Sequence, residues 1–97
     1  DYETRTLRNV EDSDGTLILN LGELDGGTAL TADHARRRGK PCLIVALEQE
    51  IDPTAFRAWL TDRQIAVLNV AGPRESKRPG VHAMATGCLT ALLRALA

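Results

Sequence analysis

The sequence predicts an α/β fold in which a parallel sheet of about three strands carries helices on both faces. Three short apolar runs, at 16–21, 42–47 and 65–70, have the length and composition of buried strands. Helical patterns stand before, between and after them, and this alternation is typical of parallel sheets with crossover helices. Three strands are few for a doubly wound domain. We therefore expect residues 1–97 to form a single domain. Either this domain is a fragment of a larger one, truncated at its N-terminus, or its exposed sheet edge is covered in a homo-oligomer.

The composition is that of an ordinary globular domain. The 97 residues are 43% hydrophobic and 26% charged, with a formal net charge of -1, so any binding of nucleic acid or of an anionic membrane would have to be local. No apolar run approaches the roughly 18 residues of a membrane span, and no signal-peptide pattern is present, which predicts a cytoplasmic protein. Cys42 and Cys88 lack metal-type spacing, and we interpret them as buried, reduced thiols.

The first half of the chain contains two predicted helices around the first strand. At 2–10, one face of a short helix carries four residues at helical spacing, Tyr2, Thr6, Leu7 and Val10. An acidic turn at 11–15 leads into the strand at 16–21. The second helix extends to about Arg38, with Gly39 as its C-terminal cap. The basic residues at 36–40 could contact phosphates, but a solvated helix end is favoured.

The second half repeats the pattern. The strand at 42–47 is almost wholly apolar, which predicts that it is covered on both faces. Asp52 and Pro53 begin a helix that ends near Asp62, and its stripe of Phe56, Trp59 and Leu60 is assigned to packing, without a ligand role for the indole.

The last predicted helix starts near Gly80. Its apolar face contains Val81, Met84, Ala85, Cys88, Leu92 and Leu96, and Leu89 and Leu93 widen it. Gly87 lowers helix propensity, which predicts close packing against a strand or a partner helix.

The stretch at 24–38 is the first candidate binding segment. It follows the first strand, and Gly26 and Gly27 would let the backbone approach a ligand. The free N–H groups of a helix that starts from about Thr28 would point at an anion, with the hydroxyls of Thr28 and Thr31 as further donors. The alternative is a tight turn at Asp25-Gly26-Gly27 with Thr28 as helix N-cap, and the local sequence favours neither interpretation.

A second candidate segment, the polar loop at 71–80, follows the third strand. Because ligands of parallel sheets bind beyond the carboxyl ends of the strands, the two segments would meet if their strands are neighbours. Arg74 is the residue expected to make a bidentate phosphate contact, Ser76 adds a hydroxyl, and Lys77 and Arg78 add charge from further out. A solvated basic loop is the equally weighted alternative.

No catalytic motif is recognisable in the sequence, and no catalytic residue or metal ligand is assigned. Asp33 and His34 lie one turn into the second helix and could serve as a general base or a ribose contact, although solvent-facing positions are favoured. His82, at the start of the last helix, could likewise meet an anion or be exposed.

Four segments resemble the putative molybdenum carrier family. They are Asp-Gly-Thr-Leu-Ile-Leu at 14–19, Gly-Gly-Thr-Ala-Leu-Thr-Ala at 26–32, Gly-Lys-Pro-Cys-Leu-Ile-Val at 39–45 and Leu-Asn-Val-Ala-Gly-Pro-Arg-Glu-Ser at 68–76. These circularly permuted, YpsA-like proteins belong to a nucleotide-binding superfamily that includes DNA-processing protein A and the lonely-guy enzymes. The resemblance implies a Rossmann-like fold and a nucleotide-like or other phosphate-bearing ligand, with molybdenum cofactor (molybdopterin) as one candidate.

The resemblance also implies which residues bind that ligand, because two motifs of the superfamily correspond to segments of this sequence. The superfamily's Gly-Thr turn corresponds to Gly26, Gly27, Thr28 and Thr31. Its Gly-Ser-Arg motif corresponds to three more residues, Gly72, Arg74 and Ser76. On this mapping the third strand lies beside the first. Family members begin with a further strand and a glycine-rich loop, and nothing in these 97 residues resembles that loop.

A binding or carrier protein is the leading functional hypothesis. The first alternative is a nucleotide-processing enzyme of the phosphoribohydrolase type, with Asp33 or Glu75 in acid–base work. The Thr-x-x-Glu spacing of those enzymes is absent, because this sequence has Thr31 at the position of the glutamate. The second alternative is a structural or interaction fragment without a complete site.

Overall fold

Seven elements make up the fold, and their order confirms the predicted alternation. The computed structural model describes residues 1–96, with the side chain of Tyr2 excepted, so the predicted place of that side chain on the first helix lies outside the described part. The elements are α1 (Tyr2–Glu11), β1 (Gly15–Asn20), α2 (Gly26–Arg37), β2 (Cys42–Ala46), α3 (Pro53–Asp62), β3 (Leu68–Ala71) and α4 (Val81–Arg94).

The three strands form a parallel sheet in the order β2-β1-β3. Ile18 of β1 lies opposite Ile44 of β2 on one side and Ala71 of β3 on the other. Every residue of the central strand is buried. One layer contains α1 and α2, and the other contains α3 and α4. Helices therefore lie on both faces of the sheet, as predicted, and the third strand lies beside the first.

Asp14 anchors the segment that leads into β3. Its Oδ2 accepts hydrogen bonds from the backbone N–H groups of Ala66 (3.0 Å) and Val67 (2.8 Å), and its own N–H donates to the Val67 carbonyl (2.8 Å). These two N–H groups lower the pKa of the Asp14 carboxyl. The strand itself starts at Leu68, three residues later than the apolar run at 65–70 predicts. Before it, the N–H groups of Ala66 and Val67 donate to the Asp14 side chain.

The main core lies between the sheet and the α3/α4 layer. Leu17 and Leu19 point to this side and pack with buried side chains from both helices, namely Phe56, Cys88 and Leu92. Trp59 packs against Phe56 with ring centroids 6.3 Å apart. Asp52 caps α3 by accepting a hydrogen bond from the Ala55 N–H (3.1 Å). The packing role predicted for the α3 stripe is confirmed.

Two packing expectations are wrong, and a third is wrong in part. The strand β2 is an edge strand whose residues are half-buried or exposed, and the Ile44 side chain is 46% exposed rather than covered. On α4 only the narrow stripe that faces the sheet is buried, so Met84 and Leu93 are exposed, and Leu96 is exposed beyond the end of the helix. A Cβ added at Gly87 would meet no described atom outside its own stretch of helix within 4 Å, so packing against a strand does not explain this glycine, and packing against a partner helix stays a prediction.

The end of α2 is a solvated helix end, as favoured from the sequence. Gly39 follows the helix in the left-handed region (φ +66°). Arg38 pairs with Glu11 (2.8 Å), and the Lys40 ammonium donates to the carbonyls of Glu11 and Ser13, so these cations tie α2 to the end of α1.

Both cysteines are free thiols. Cys88 is buried and Cys42 is half-buried, and burial raises the pKa of each thiol. The longest helix, α4, has 14 residues, and within residues 1–96 no helix has both the length and the apolar character to cross a membrane.

Candidate functional site

The helix α2 begins at Gly26, after the loop at 21–25 that follows β1. Its first helical hydrogen bond runs from the Ala29 N–H to the Asp25 carbonyl (3.2 Å), so the N–H groups of the preceding turn lie at the positive end of the helix dipole. Asp25 occupies the N-cap position in an extended conformation, without a side-chain cap. Thr28 is already the third helical residue, so the interpretation of Thr28 as N-cap is wrong.

The two threonine hydroxyls of α2 are engaged by the helix itself. Thr28 donates to the Asp25 carbonyl (2.7 Å) and Thr31 donates to the Gly27 carbonyl (2.8 Å). Both residues are buried, with 4% and 2% exposure. In this conformation each hydroxyl offers oxygen lone pairs to its surroundings, whereas the sequence predicts hydroxyl donors.

Gly72 brings the second loop close to the first. It follows β3 directly, and a Cβ at this position would lie 2.7 Å from the carbonyl oxygen of Leu19 in β1. Real Cβ atoms do not approach a backbone oxygen that closely, so only glycine lets the chain leave β3 along this path.

The loop after Gly72 is held by its own hydrogen bonds. The Arg74 carbonyl accepts from the N–H groups of Lys77 and Arg78, each at 3.0 Å. The Glu75 carboxylate accepts from the N–H groups of Gly80 (2.6 Å) and His82 (3.0 Å), which lowers its pKa and fixes the start of α4.

The two loops meet around a cleft of about 340 Å³ beyond the carboxyl ends of β1 and β3. Its lining comes from both: Asp25, Gly27 and Thr28 on the α2 side, and Gly72, Pro73, Arg74, Ser76 and Lys77 on the other. The structure therefore brings five of the seven candidate residues to one cleft, together with the N-terminal turn of α2.

Asp25 also lines the cleft, although no binding role was predicted for it. Its Oδ1 lies 2.9 Å from the Lys77 ammonium and its Oδ2 lies 3.1 Å from the Arg78 guanidinium, which also donates to the Leu21 carbonyl (2.9 Å). The Lys77 hydrogen bond is the main cause that lowers the pKa of Asp25. Lys77 and Arg78 therefore lie at the N-terminus of α2 and not further out, where they were predicted. The acidic residue before the two glycines was the signal in the sequence that could have indicated this pairing.

The other two candidates lie next to the cleft. Gly26 has a left-handed conformation (φ +53°), and a Cβ there would lie 2.6 Å from the Lys77 ammonium, so this glycine lets Lys77 reach Asp25. Thr31 lines a second depression of about 250 Å³, on the α1/α2 side of β3. Three residues, Gly27, Thr28 and Gly72, line both spaces.

The remaining candidates point elsewhere. The Asp33 carboxylate forms ion pairs with Arg36 and, at 2.9 Å, with Arg37. The His34 Nε2 lies 3.1 Å from the Glu11 carboxylate. His82 is exposed at the start of α4. None of these three side chains lines the cleft between the two loops.

The donor set of the cleft suits an anion. Arg74 and Lys77 supply positive charge, and the first turn of α2 supplies N–H groups, which together match the oxygens of a phosphate group. Among residues 1–96, no three His, Cys, Asp or Glu side chains are grouped closely enough to hold a metal ion.

Known proteins resemble this chain in both sequence and structure. The model of the circularly permuted YpsA SLOG family matches residues 1–93. A crystal structure named "Putative molybdenum carrier protein", from Syntrophus aciditrophicus SB, is 42% identical in sequence and superposes with a TM-score of 0.87. The match covers 96% of this chain and 61% of that protein, so the chain spans less than two thirds of that protein's length. A search of curated proteins found no match.

Proposed function

The chain belongs to the circularly permuted YpsA SLOG family, and from this premise we propose that it binds a small phosphorylated ligand in the cleft between the two loops, as a carrier of that ligand. The similar crystal structure is named a molybdenum carrier, so a phosphate-bearing molybdenum cofactor is the first candidate for the cargo. A nucleotide is the second, because it presents the same phosphate chemistry.

The observation that supports this proposal is the meeting of three kinds of anion-binding group in one space. Gly27 and Thr28, in the first turn of α2, line the cleft from one loop, and the N–H groups of a first helical turn have no acceptor within the helix. The Arg74 guanidinium and the Lys77 ammonium lie on the other loop. A helix N-terminus favours an anion, and a planar guanidinium can contact two phosphate oxygens at once.

In a bound complex, each group would have its own part. Gly27 and Thr28 would offer backbone N–H groups to the phosphate oxygens, and Gly72 would leave room for the anion beside the sheet. Arg74 would make the bidentate contact, and the Ser76 hydroxyl would add a neutral donor. The same residues would hold the phosphate of a molybdenum cofactor, which would supply metal chemistry when bound.

The positions of the two carboxylates named for acid–base work support the enzymatic alternative less than the binding function. Asp33 is paired with two arginines on α2, and Glu75 accepts two backbone hydrogen bonds at the start of α4. Both carboxylates named for acid–base work are thus engaged in local structure. Release of free base from nucleoside monophosphates would nevertheless support that alternative.

Titration calorimetry of Arg74→Ala tests the proposal. The probes are inorganic phosphate, AMP and molybdate, and the control is Arg57→Ala, which removes the same charge from α3. Loss of a charge-assisted contact weakens binding by about 10- to 100-fold, so Arg74→Ala should show that loss for every phosphorylated probe that the wild type binds, while Arg57→Ala binds normally. Equal affinities in wild type and Arg74→Ala would contradict the site assignment.

A further inference from the structure

The second depression borders the anion cleft directly. It is lined by Thr6 and Asn9 of α1, by Gly27, Thr28 and Thr31 at the start of α2, and by 69–72 at the end of β3. With a volume of about 250 Å³, it is smaller than the anion cleft, and the two share three lining residues. A ligand that places a phosphate over the first turn of α2 could therefore extend into this depression without leaving the protein surface.

The chemistry of the two spaces differs. The anion cleft contains Arg74 and Lys77, whereas the described residues that line the depression are all uncharged. Two side-chain amides, Asn9 and Asn69, face it from α1 and β3. A side-chain amide offers both a hydrogen-bond donor and an acceptor. It can therefore pair with the edge of a nucleobase or of a pterin ring, which also presents a donor beside an acceptor.

Neighbouring hydrogen bonds determine what the depression can offer. One amide N–H of Asn69 is directed to the Thr16 hydroxyl (3.3 Å), which leaves its carbonyl oxygen and its second N–H. The buried Thr31 hydroxyl donates to the Gly27 carbonyl and so presents lone pairs. The depression therefore offers acceptors from the Thr31 hydroxyl and the asparagine carbonyl oxygens, and the asparagine amides add N–H donors.

We propose that this depression is the subsite for the heterocycle of the ligand, with Asn9 and Asn69 as the residues that read its hydrogen-bonding edge. This inference rests on the proposed function, since the phosphate in the cleft orients the ligand. It restricts the ligand class to phosphorylated compounds that carry a hydrogen-bonding heterocycle, and excludes plain sugar phosphates and free oxyanions as the preferred cargo.

Calorimetry with a graded set of probes tests the subsite: inorganic phosphate, ribose 5-phosphate, AMP and GMP. At least one nucleotide should bind the wild type about tenfold or more tighter than ribose 5-phosphate. Asn9→Ala should reduce that advantage by about three- to tenfold, the value of one or two hydrogen bonds, and leave ribose 5-phosphate binding unchanged. Asn9 is exposed on α1, so its removal should not unfold the chain.

Two further variants keep the test decisive. Gln49→Ala removes an exposed amide beyond β2, at the opposite edge of the sheet, and should preserve the nucleotide advantage. Asn69→Ala should reduce the advantage as Asn9→Ala does, and its melting temperature is measured alongside because this residue also contacts Thr16.

The possible failures are distinguishable. If Arg74→Ala weakens all phosphorylated probes but the nucleotides show no advantage over ribose 5-phosphate, the subsite is wrong and the proposed function stands. The subsite is also wrong if the advantage survives both asparagine substitutions. If Arg74→Ala changes no affinity, the proposed function itself fails.

Discussion

The carboxylate of Asp25 lies 2.9 Å from the ammonium nitrogen of Lys77, so the loop before α2 and the loop after β3 are joined by an ion pair across the mouth of the cleft. The pair is half-exposed on both sides, so it contributes little to stability. Its importance lies in the charge of the cleft. A bound anion must share Lys77 with Asp25 and lie near a fixed negative charge.

Asp25→Asn should therefore strengthen anion binding. Removal of one negative charge near the anion, in an exposed site, should tighten the binding of inorganic phosphate by roughly three- to tenfold at pH 7, and the gain should shrink as salt is added. The measurement is calorimetry at two ionic strengths, and Glu50→Gln, which removes an exposed carboxylate elsewhere, is the control. Weaker binding by Asp25→Asn would show instead that the carboxylate positions Lys77 for the ligand.

Gly72 and Gly87 should respond in opposite ways to the same added methyl group. At Gly72 the new Cβ would lie 2.7 Å from the Leu19 carbonyl, so Gly72→Ala should lower the free energy of unfolding by about 1–3 kcal/mol. At Gly87 the space is open, so Gly87→Ala should raise it by about 0.5–1 kcal/mol through helix propensity. Urea denaturation of both variants checks the pair. A neutral Gly72→Ala would contradict the close approach of the chain to β1.

Acid should remove the contribution of Asp14 to stability. Its folded-state pKa is lowered below the ordinary 3.8 by the N–H groups of Val67 and Ala66. The stabilisation is therefore fully present above pH 3.8, and it is lost as the pH falls through the lower folded-state pKa. The melting temperature of Asp14→Asn should lie below that of the wild type at pH 7, and the gap should narrow below pH 3.8. A gap that is constant with pH would contradict this role of the charge.

Truncation of a side chain in the buried centre of the sheet should lower the free energy of unfolding far more than truncation on the outer face of α4. Leu17 is fully buried and Leu93 is 50% exposed. Leu17→Ala should cost about 2–5 kcal/mol of unfolding free energy, which is much of the stability of a small domain. Leu93→Ala should change it by less than about 1 kcal/mol. Thermal unfolding followed by circular dichroism compares the two, and similar losses would contradict the assigned core.

Local features of the fold were predictable because their causes are local. The Asp52 cap, the glycine after α2 and the apolar run of β1 each depend on neighbouring residues, and each is confirmed. The neighbouring positions of β1 and β3 followed from the family resemblance, and with them the meeting of the two loops.

Features that depend on the tertiary arrangement were missed. Ile44 is exposed because β2 is an edge strand, and an apolar run does not reveal its place in the sheet. The sequence pattern predicted that α2 starts at about Thr28, whereas the helix starts at Gly26, whose backbone is left-handed. The pairing of Asp25 with Lys77 and Arg78 joins residues distant in sequence, so it became visible only in the structure.

The pairing of β1 with β3 also determines when the cleft can exist. Thr16 and Asn69, which lie opposite each other in this pair, are 53 residues apart in sequence, whereas α2 is connected to β1 by a short turn. Closing so long a loop is entropically costly, so contacts of this kind tend to form late in folding. If these contacts form after the transition state, an anion that binds both loops should slow unfolding more than it accelerates folding.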